Sequence, residues 1–271
     1  MPVALQDIQW VVQENLTNIE YINDLQAACK KAGVTFQPIR VIPFSGQLPD
    51  FDAGRKSIFY GSTTLCNLVA ANEQLKAGLF FDPESFSMEN YFQQWGSYML
   101  NYGATITDFK TLLLREEDPN TLFFIRPVDD GKTFAGVVKR FADLTDWCEQ
   151  LQHYNETRSI AESKIVVGKP YEIEMEWRLW IVEGKVVASS RYRTYFKLTK
   201  EKGCPPSVKD FAEARCLEYM PYGAFVMDIG KAGDDLFIIE CNCINAAGFY
   251  HGDINAIVSE VSRFFASSIS R

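Results

Sequence analysis

The sequence predicts an α+β chain in which a small α/β unit with a parallel sheet precedes a longer region of antiparallel ribbons. Three observations carry this. Over residues 1–85, short apolar runs alternate with amphipathic helical patterns, the sign of strand–helix–strand units. From residue 121 onward, strand-like runs come in pairs joined by Gly-containing turns, as in 174–182 with 186–197 and 225–229 with 236–242. Within those ribbons, charged side chains recur at positions that alternation assigns to one face.

The 271 residues are enough to bury a sizeable core, and 47% hydrophobic with 23% charged residues is ordinary globular composition. No run reaches the eighteen or so apolar residues of a membrane span, and residues 1–7 lack the basic start and cleavage site of a signal peptide, so the expected address is cytoplasmic with no membrane partner. A net charge of −8 and a pI near 5.0 argue against broad nucleic-acid binding. Seven cysteines, an odd number, read as reduced thiols. Cys241 and Cys243 flank Asn242; a buried strand face explains them better than a zinc site, because a lone Cys-x-Cys is a weak signal.

In order along the chain, 8–12 reads as a strand, and Ile19, Ile22, Leu25, Cys29 and Ala32 mark one face of a helix that Gly33 stops. Residues 34–39 and 57–60 are the next strands. Gly61, Ser62, Thr63 and Thr64 open a helix carrying Leu65, Leu68, Val69 and Leu75; they serve as an N-cap or, on the sharper reading, as an anion cradle of backbone N–H groups. Residues 86–120 hold Phe86, Tyr91, Phe92, Trp95, Tyr98 and Tyr102 and read as a packed aromatic connector, with an aromatic ligand platform as the alternative. A break at 115–120 then opens the third region, 121–271.

Residues 121–125 form a buried-looking strand ending at Arg126 and Pro127, and the loop 128–134 carries Lys132. Arg at a strand end and Lys in a short Gly-containing loop are tools for gripping a polyphosphate; a solvated hairpin tip explains them too. A helix with Leu144, Trp147, Cys148 and Leu151 follows. The apolar run 165–170 and its turn offer backbone groups to a flat base. The strand 174–182 places Glu174, Glu176, Arg178 and Trp180 on one face, and 186–197 returns with Ser189, Arg191, Arg193 and Tyr195 on one face. Such opposed charges are also what plain cross-strand ion pairs look like. A short helix with Val208 and Phe211 inward precedes the last ribbon. After it, residues 245–252 read as a flexible turn, where His251 is a solvated residue or a base, and an amphipathic helix with Ile254, Ile257, Val258, Val261, Phe264 and Phe265 ends the chain.

The last ribbon, 225–242, is the anomaly. Glu240 and Asn242 share one face, and Asp228 joins them if the hairpin loop has an odd length. Two carboxylates and an amide oxygen on one patch suit magnesium or manganese; solvated acids on a surface hairpin are the other reading. A calcium loop does not fit, because the third and fifth positions counted from Asp228 are Gly230 and Ala232.

Taken together, these pieces resemble the ATP-grasp superfamily, in particular its small, often phage-borne members preceded by a short α/β domain, and more distantly the ligases that add glutamate to a ribosomal protein. Asp228 with Glu240-Cys241-Asn242 and Gly248 is similar to the family's Asp…Glu-x-Asn metal motif, 176–187 to its Glu-x-Arg strand and hairpin, and 124–127 to a phosphate-contacting strand. Many members carry Lys where Arg126 stands; Arg keeps the charge with a different geometry, and Lys132 is the candidate to cover that role. The resemblance implies two α+β subdomains holding ATP between them with magnesium or manganese on its phosphates. It further implies metal ligands Asp228, Glu240 and Asn242, phosphate contacts from Arg126 and Lys132, and an adenine pocket lined by Ser163, Lys164, Ile165 and Val166. Arg178, Arg191 and Arg193 would face the transferred phosphoryl group. The activity implied is a carboxylate–amine ligase working through an acyl phosphate on small-molecule or peptide substrates. A phosphotransferase and a non-catalytic nucleotide-binding module are the alternatives.

Overall fold

Buried along its whole length, β1 (Ile8–Gln13) has the near-continuous apolar run expected of a central parallel strand. The computed structural model describes residues 3–15, 17, 19–42, 45–128, 134–154 and 159–269. α1 (Ile19–Ala32) turns its Leu25 and Cys29 face inward, while the side chain of Ile19 lies outside the described residues; Gly33, at φ 73°, ends the helix. β2 (Thr35–Ile39) and β3 (Lys56–Tyr60) pair on either side of β1, both parallel to it, giving the order β2-β1-β3. Ser62 caps α2 (Thr63–Ala70): its Oγ accepts the Leu65 N–H, and its own N–H and hydroxyl donate to Gln13 Oε1.

The aromatic stretch contains α3 (Met88–Trp95), the edge strand β4 (Thr105–Asp108) and α4 (Phe109–Leu112). Thr-Ile-Thr-Asp is too short and polar to announce a strand; it becomes one by pairing with β7 of the next sheet. That sheet is antiparallel, built from β5 (Leu122–Pro127), β6 (Val137–Arg140) and β7 (Lys164–Gly168) in the order β4-β7-β5-β6, with α5 (Leu144–Tyr154) behind it. Phe109, Ile125, Leu144, Trp147 and Ile165 form its core.

The second antiparallel sheet comprises β8 (Met175–Val182), β9 (Lys185–Thr194), β10 (Lys197–Lys202), β11 (Ala224–Ala232) and β12 (Asp235–Asn242), ordered β10-β9-β8-β11-β12; α6 (Pro206–Glu218) connects β10 to β11. Glu183 and Gly184 both have positive φ, as a two-residue hairpin turn between right-twisted strands requires. The run 186–197 does not continue as one strand: Tyr195 adopts φ 49°, and the chain doubles back as β10.

One face of this sheet buries Leu179, Phe225, Met227 and Cys241 against α3 and α6. The other contributes Trp180 and Val226 to a core shared with Trp10, Ile58 and the inner face of α7 (Ile254–Ser268). The parallel unit and the five-stranded sheet therefore share one interior, tied further by the Trp10 Nε1–H to Ser262 Oγ hydrogen bond of 2.9 Å. Among the described residues no helix is long and apolar enough to cross a membrane. The fold is an α+β ATP-grasp architecture: a parallel three-stranded unit followed by two antiparallel-sheet subdomains.

Candidate functional site

Where the two antiparallel sheets face each other, a cavity of about 760 Å³ opens, within the usual range for small-molecule sites. Arg126 at the end of β5 reaches into it from the four-stranded sheet; Glu176, Arg178, Arg193, Asp228 and Glu240 reach in from the five-stranded sheet.

The convergence of Asp228 and Glu240 depends on a β-bulge. The β11–β12 turn is two residues long, 233–234, and in strict register it would set Asp228 opposite Ile239. The register instead shifts between Asp228 and Ile229, leaving Ile239 unpaired and placing Glu240 directly opposite Asp228. The odd-length loop expected from the sequence is absent, and the bulge supplies the missing residue. Arg178 on β8 pairs with Asp228 on its other side, so all three side chains share one face. A second bulge acts on the arginines. Glu176 pairs with Arg193 but Trp177 pairs with Arg191, so Tyr192 is the extra residue and the two arginines are thrown to opposite faces. Arg193 and Tyr192 line the cavity, while Arg191 turns to Glu201 and the Met175 sulfur.

Three carboxylates in the cavity wall are each held by a guanidinium. Arg178 forks onto Asp228, with Nε to Oδ1 at 2.9 Å and Nη2 to Oδ2 at 2.7 Å. Arg126 Nη2 meets Glu240 Oε2 at 2.6 Å, and its Nη1 donates to the Ile239 carbonyl at 3.3 Å. Arg193 Nη1 donates to Glu176 Oε1 at 2.9 Å, and the Tyr192 hydroxyl donates to Glu176 Oε2 at 2.5 Å. The Arg178 guanidinium also lies 5.0 Å from the ring centroid of Tyr250, which stacks at 5.0 Å on Tyr192 and is held at φ 47°.

Burial pushes the Asp228 carboxyl above its ordinary range; the Arg178 fork opposes this, and Glu240 and Glu176 add to the rise. Burial also works against the charge on Glu240, but Arg126, the Asn242 amide and Arg178 outweigh it and hold that carboxyl below its ordinary range. Burial disfavours the Arg178 cation, and Asp228 more than restores it. Asn242 completes the cluster, its amide Nδ2 lying 3.1 Å from Glu240 Oε1 and 3.5 Å from Asp228 Oδ2.

This donor set fits magnesium better than a self-sufficient metal cage. Among the described residues no group of three or more His, Cys, Asp and Glu side chains is arranged to hold a metal. Two carboxylates and one amide, which can present either its oxygen or its nitrogen edge, match an ion that usually keeps waters and takes substrate phosphates for the rest of its shell. The acid cluster, with Asp228 pushed up by its neighbours, also has room electrostatically for one more cation.

The remaining candidates fall elsewhere. Lys132 lies outside the described residues, as does the rest of 129–133. Ser163, Lys164, Ile165 and Val166 do not line the cavity: the Ser163 hydroxyl donates to the Ser159 carbonyl, Lys164 pairs with Glu89, and Ile165 and Val166 are buried in the two cores beside β7. The wall at that end comes instead from Leu100, Asn101, Tyr171, Ile173 and Ile239. Sequence reading passed over these because they sit in irregular connections whose proximity only the sheet packing creates. The 245–252 turn is anchored: Asn245 is buried, accepting the Phe80 N–H and donating to the Phe59 and Gly78 carbonyls, while Tyr60 and Tyr21 donate to the carbonyls of Ala247 and Tyr250. His251 is exposed and does not line the cavity. Cys241 and Cys243 are buried.

A family model describing an ATP-grasp domain, the third family of its clade, matches residues 82–261. No curated protein matches the sequence. Among solved structures, the chain is similar to D-cycloserine synthetase DcsG, with a TM-score of 0.59 at 12% identity over 97% of this chain and 98% of that one. It is also similar to the ATP-grasp ligase PsnB in complex with a minimal precursor, Mg and ADP, with a TM-score of 0.57 at 12% identity over 97% and 99%. A third similar structure, D-alanine–D-alanine ligase from Bacillus anthracis, has a TM-score of 0.54 at 11% identity over 96% and 99%. At these identities the likeness is one of fold.

Proposed function

We propose, because the chain belongs to this third clade family of the ATP-grasp domains, that it is an ATP- and magnesium-dependent carboxylate–amine ligase working through an acyl phosphate. The observation that carries the proposal is the convergence of three carboxylate–guanidinium pairs on one cavity between two antiparallel sheets. The fold neighbours named ligases or synthetases, and the Mg and ADP bound to PsnB, support the same reading.

The chemistry asks for charge neutralisation and positioning. A carboxylate resists an amine because its oxygen is a poor leaving group. Transfer of the terminal phosphoryl group of ATP to that oxygen breaks the bond to the bridging oxygen, and ADP departs with the electron pair. The amine nitrogen then attacks the carbonyl carbon, the bond to the phosphate oxygen breaks, and the nitrogen loses a proton as the amide forms. Arg178 and Arg193 face the phosphoryl group, whose charge spreads over its outer oxygens in the transition state, and the fixed guanidiniums receive it without reorganising. Arg126, already oriented by Glu240, and Lys132 contact the phosphates. Asp228, Glu240 and Asn242 would hold magnesium, which when bound neutralises phosphate charge and orients the phosphoryl oxygens. Arg191, directed toward Glu201, has no role in this proposal.

The test is to incubate the purified chain with ATP, magnesium and pools of amino acids and short peptides, following ADP and phosphate release and product mass. Condensation with loss of one water, with stoichiometric ADP and phosphate, is the expected result. A product that retains the phosphoryl group would make the protein a phosphotransferase, and ATP binding with no turnover in any pool would make it a binding module.

A further inference from the structure

Asn101 is 3% exposed, and its side-chain Nδ2 is buried without a hydrogen-bond partner. A buried donor left unpaired is a standing cost that folded proteins rarely carry without a reason, and a ligand acceptor is one such reason. Its place in the fold supports that reason. Asn101 lines the main cavity and also a second hollow of about 270 Å³, and Tyr171 lines both as well, so the two spaces meet at these residues. The backbone there is fixed: the Leu100 N–H donates to the Ile238 carbonyl at 2.9 Å, and the Asn101 carbonyl accepts the Ala104 N–H at 2.9 Å. That anchorage runs along β12, two residues before Glu240, so one strand spans from this wall to the acid–guanidinium cluster. The neighbouring wall residues Leu100, Tyr171, Ile173 and Ile239 are apolar or flat, the surroundings a planar aromatic ring prefers.

We infer that Asn101 is a specificity-determining residue whose side-chain amide donates a hydrogen bond to a ring nitrogen of the purine base of the bound nucleotide. The inference rests on the nucleotide-binding reading above and adds the residue that recognises the base. A purine offers bare ring nitrogens as acceptors, whereas the phosphates lie at the guanidinium end, so the contact separates base recognition from phosphate recognition.

The experiment compares the full chain with Asn101→Leu and Asn101→Ala, measuring magnesium-dependent binding of the non-hydrolysable analogue AMP-PNP and of inorganic tripolyphosphate by calorimetry, with thermal unfolding alongside. The expected result is about a tenfold loss of AMP-PNP affinity in both variants, unchanged tripolyphosphate affinity, and no loss of melting temperature in the ligand-free Asn101→Leu chain. Among 1-deaza, 3-deaza and 7-deaza analogues of ATP, one should bind the wild type as weakly as the variants and be insensitive to the substitution. Unchanged AMP-PNP affinity in folded variants, equal losses for AMP-PNP and tripolyphosphate, or sensitivity retained by all three deaza analogues would each overturn the inference. Failure of the wild type to bind either probe would overturn the nucleotide reading itself and this inference with it.

Discussion

Asp228 stands directly opposite Glu240, on adjacent strands of one hairpin, because Ile239 is bulged out of the ladder between them. Two carboxylates are thereby set side by side in a buried wall, a costly arrangement that Arg178 and Arg126 relieve from either side. The cluster's stability and its affinity for cations are therefore coupled.

Glu240→Gln tests the cation half of that coupling. The amide keeps the shape and an acceptor for Arg126 but removes one of two anionic oxygen donors. Nucleotide affinity measured with magnesium should fall at least tenfold, toward the value measured without it, while circular dichroism remains that of the wild type. Magnesium dependence equal to that of the wild type would remove Glu240 from the cation site.

Gly252 lies against Trp180, and a Cβ there would sit 2.5 Å from the indole ring. Trp180 is fully buried beside Phe249 and cannot swing aside. Gly252→Ala should cost about 1–3 kcal/mol in denaturant unfolding, the usual penalty for overpacking. A change below about 0.5 kcal/mol would mean that the loop moves instead of the ring.

Asp253 caps α7, accepting the Ala256 N–H at 3.2 Å, and this hydrogen bond, opposed by partial burial and aided by Lys202, holds its carboxyl below the ordinary range. Asp253→Ala should cost about 1 kcal/mol at neutral pH. Because the folded-state pKa is the lower one, the stabilisation is complete above the unfolded value of about 3.9 and is lost as pH falls through the folded value. Melting curves of the two proteins should therefore differ at pH 6 and converge in the range below about pH 4; a gap that stays constant would assign the effect to packing.

Burial pushes the thiols of Cys29 and Cys216 up to about 12. At pH 8 only about one molecule in ten thousand would carry either thiolate, even before access is considered. Iodoacetamide followed by mass spectrometry should leave both unmodified in the folded chain and label both in urea. Rapid native labelling of Cys29 would show that α1 separates from α7, since the two helices share its core.

Much of the architecture was legible because it is local. Alternating apolar runs and helical faces announce the parallel unit, Gly33 stops α1, and Ser62 caps α2, all through interactions within a few residues. The strands β4 and β10 were not legible: Thr105–Asp108 and Lys197–Lys202 are short and polar, and each is a strand only through the neighbour it pairs with.

The same division runs through the candidate site. Residue type alone determined that Asp228, Glu240 and Asn242 are oxygen donors and that Arg126, Arg178 and Arg193 can hold anions. Which of them meet was decided by register, because in a strand one extra residue moves every later side chain to the other face. The bulge at Ile239 brings Glu240 to Asp228, and the bulge at Tyr192 sends Arg191 away from Arg193. Bulges are settled by packing across a whole sheet, and the wall containing Asn101 and Tyr171 by two sheets coming together, so neither is written in the neighbouring sequence.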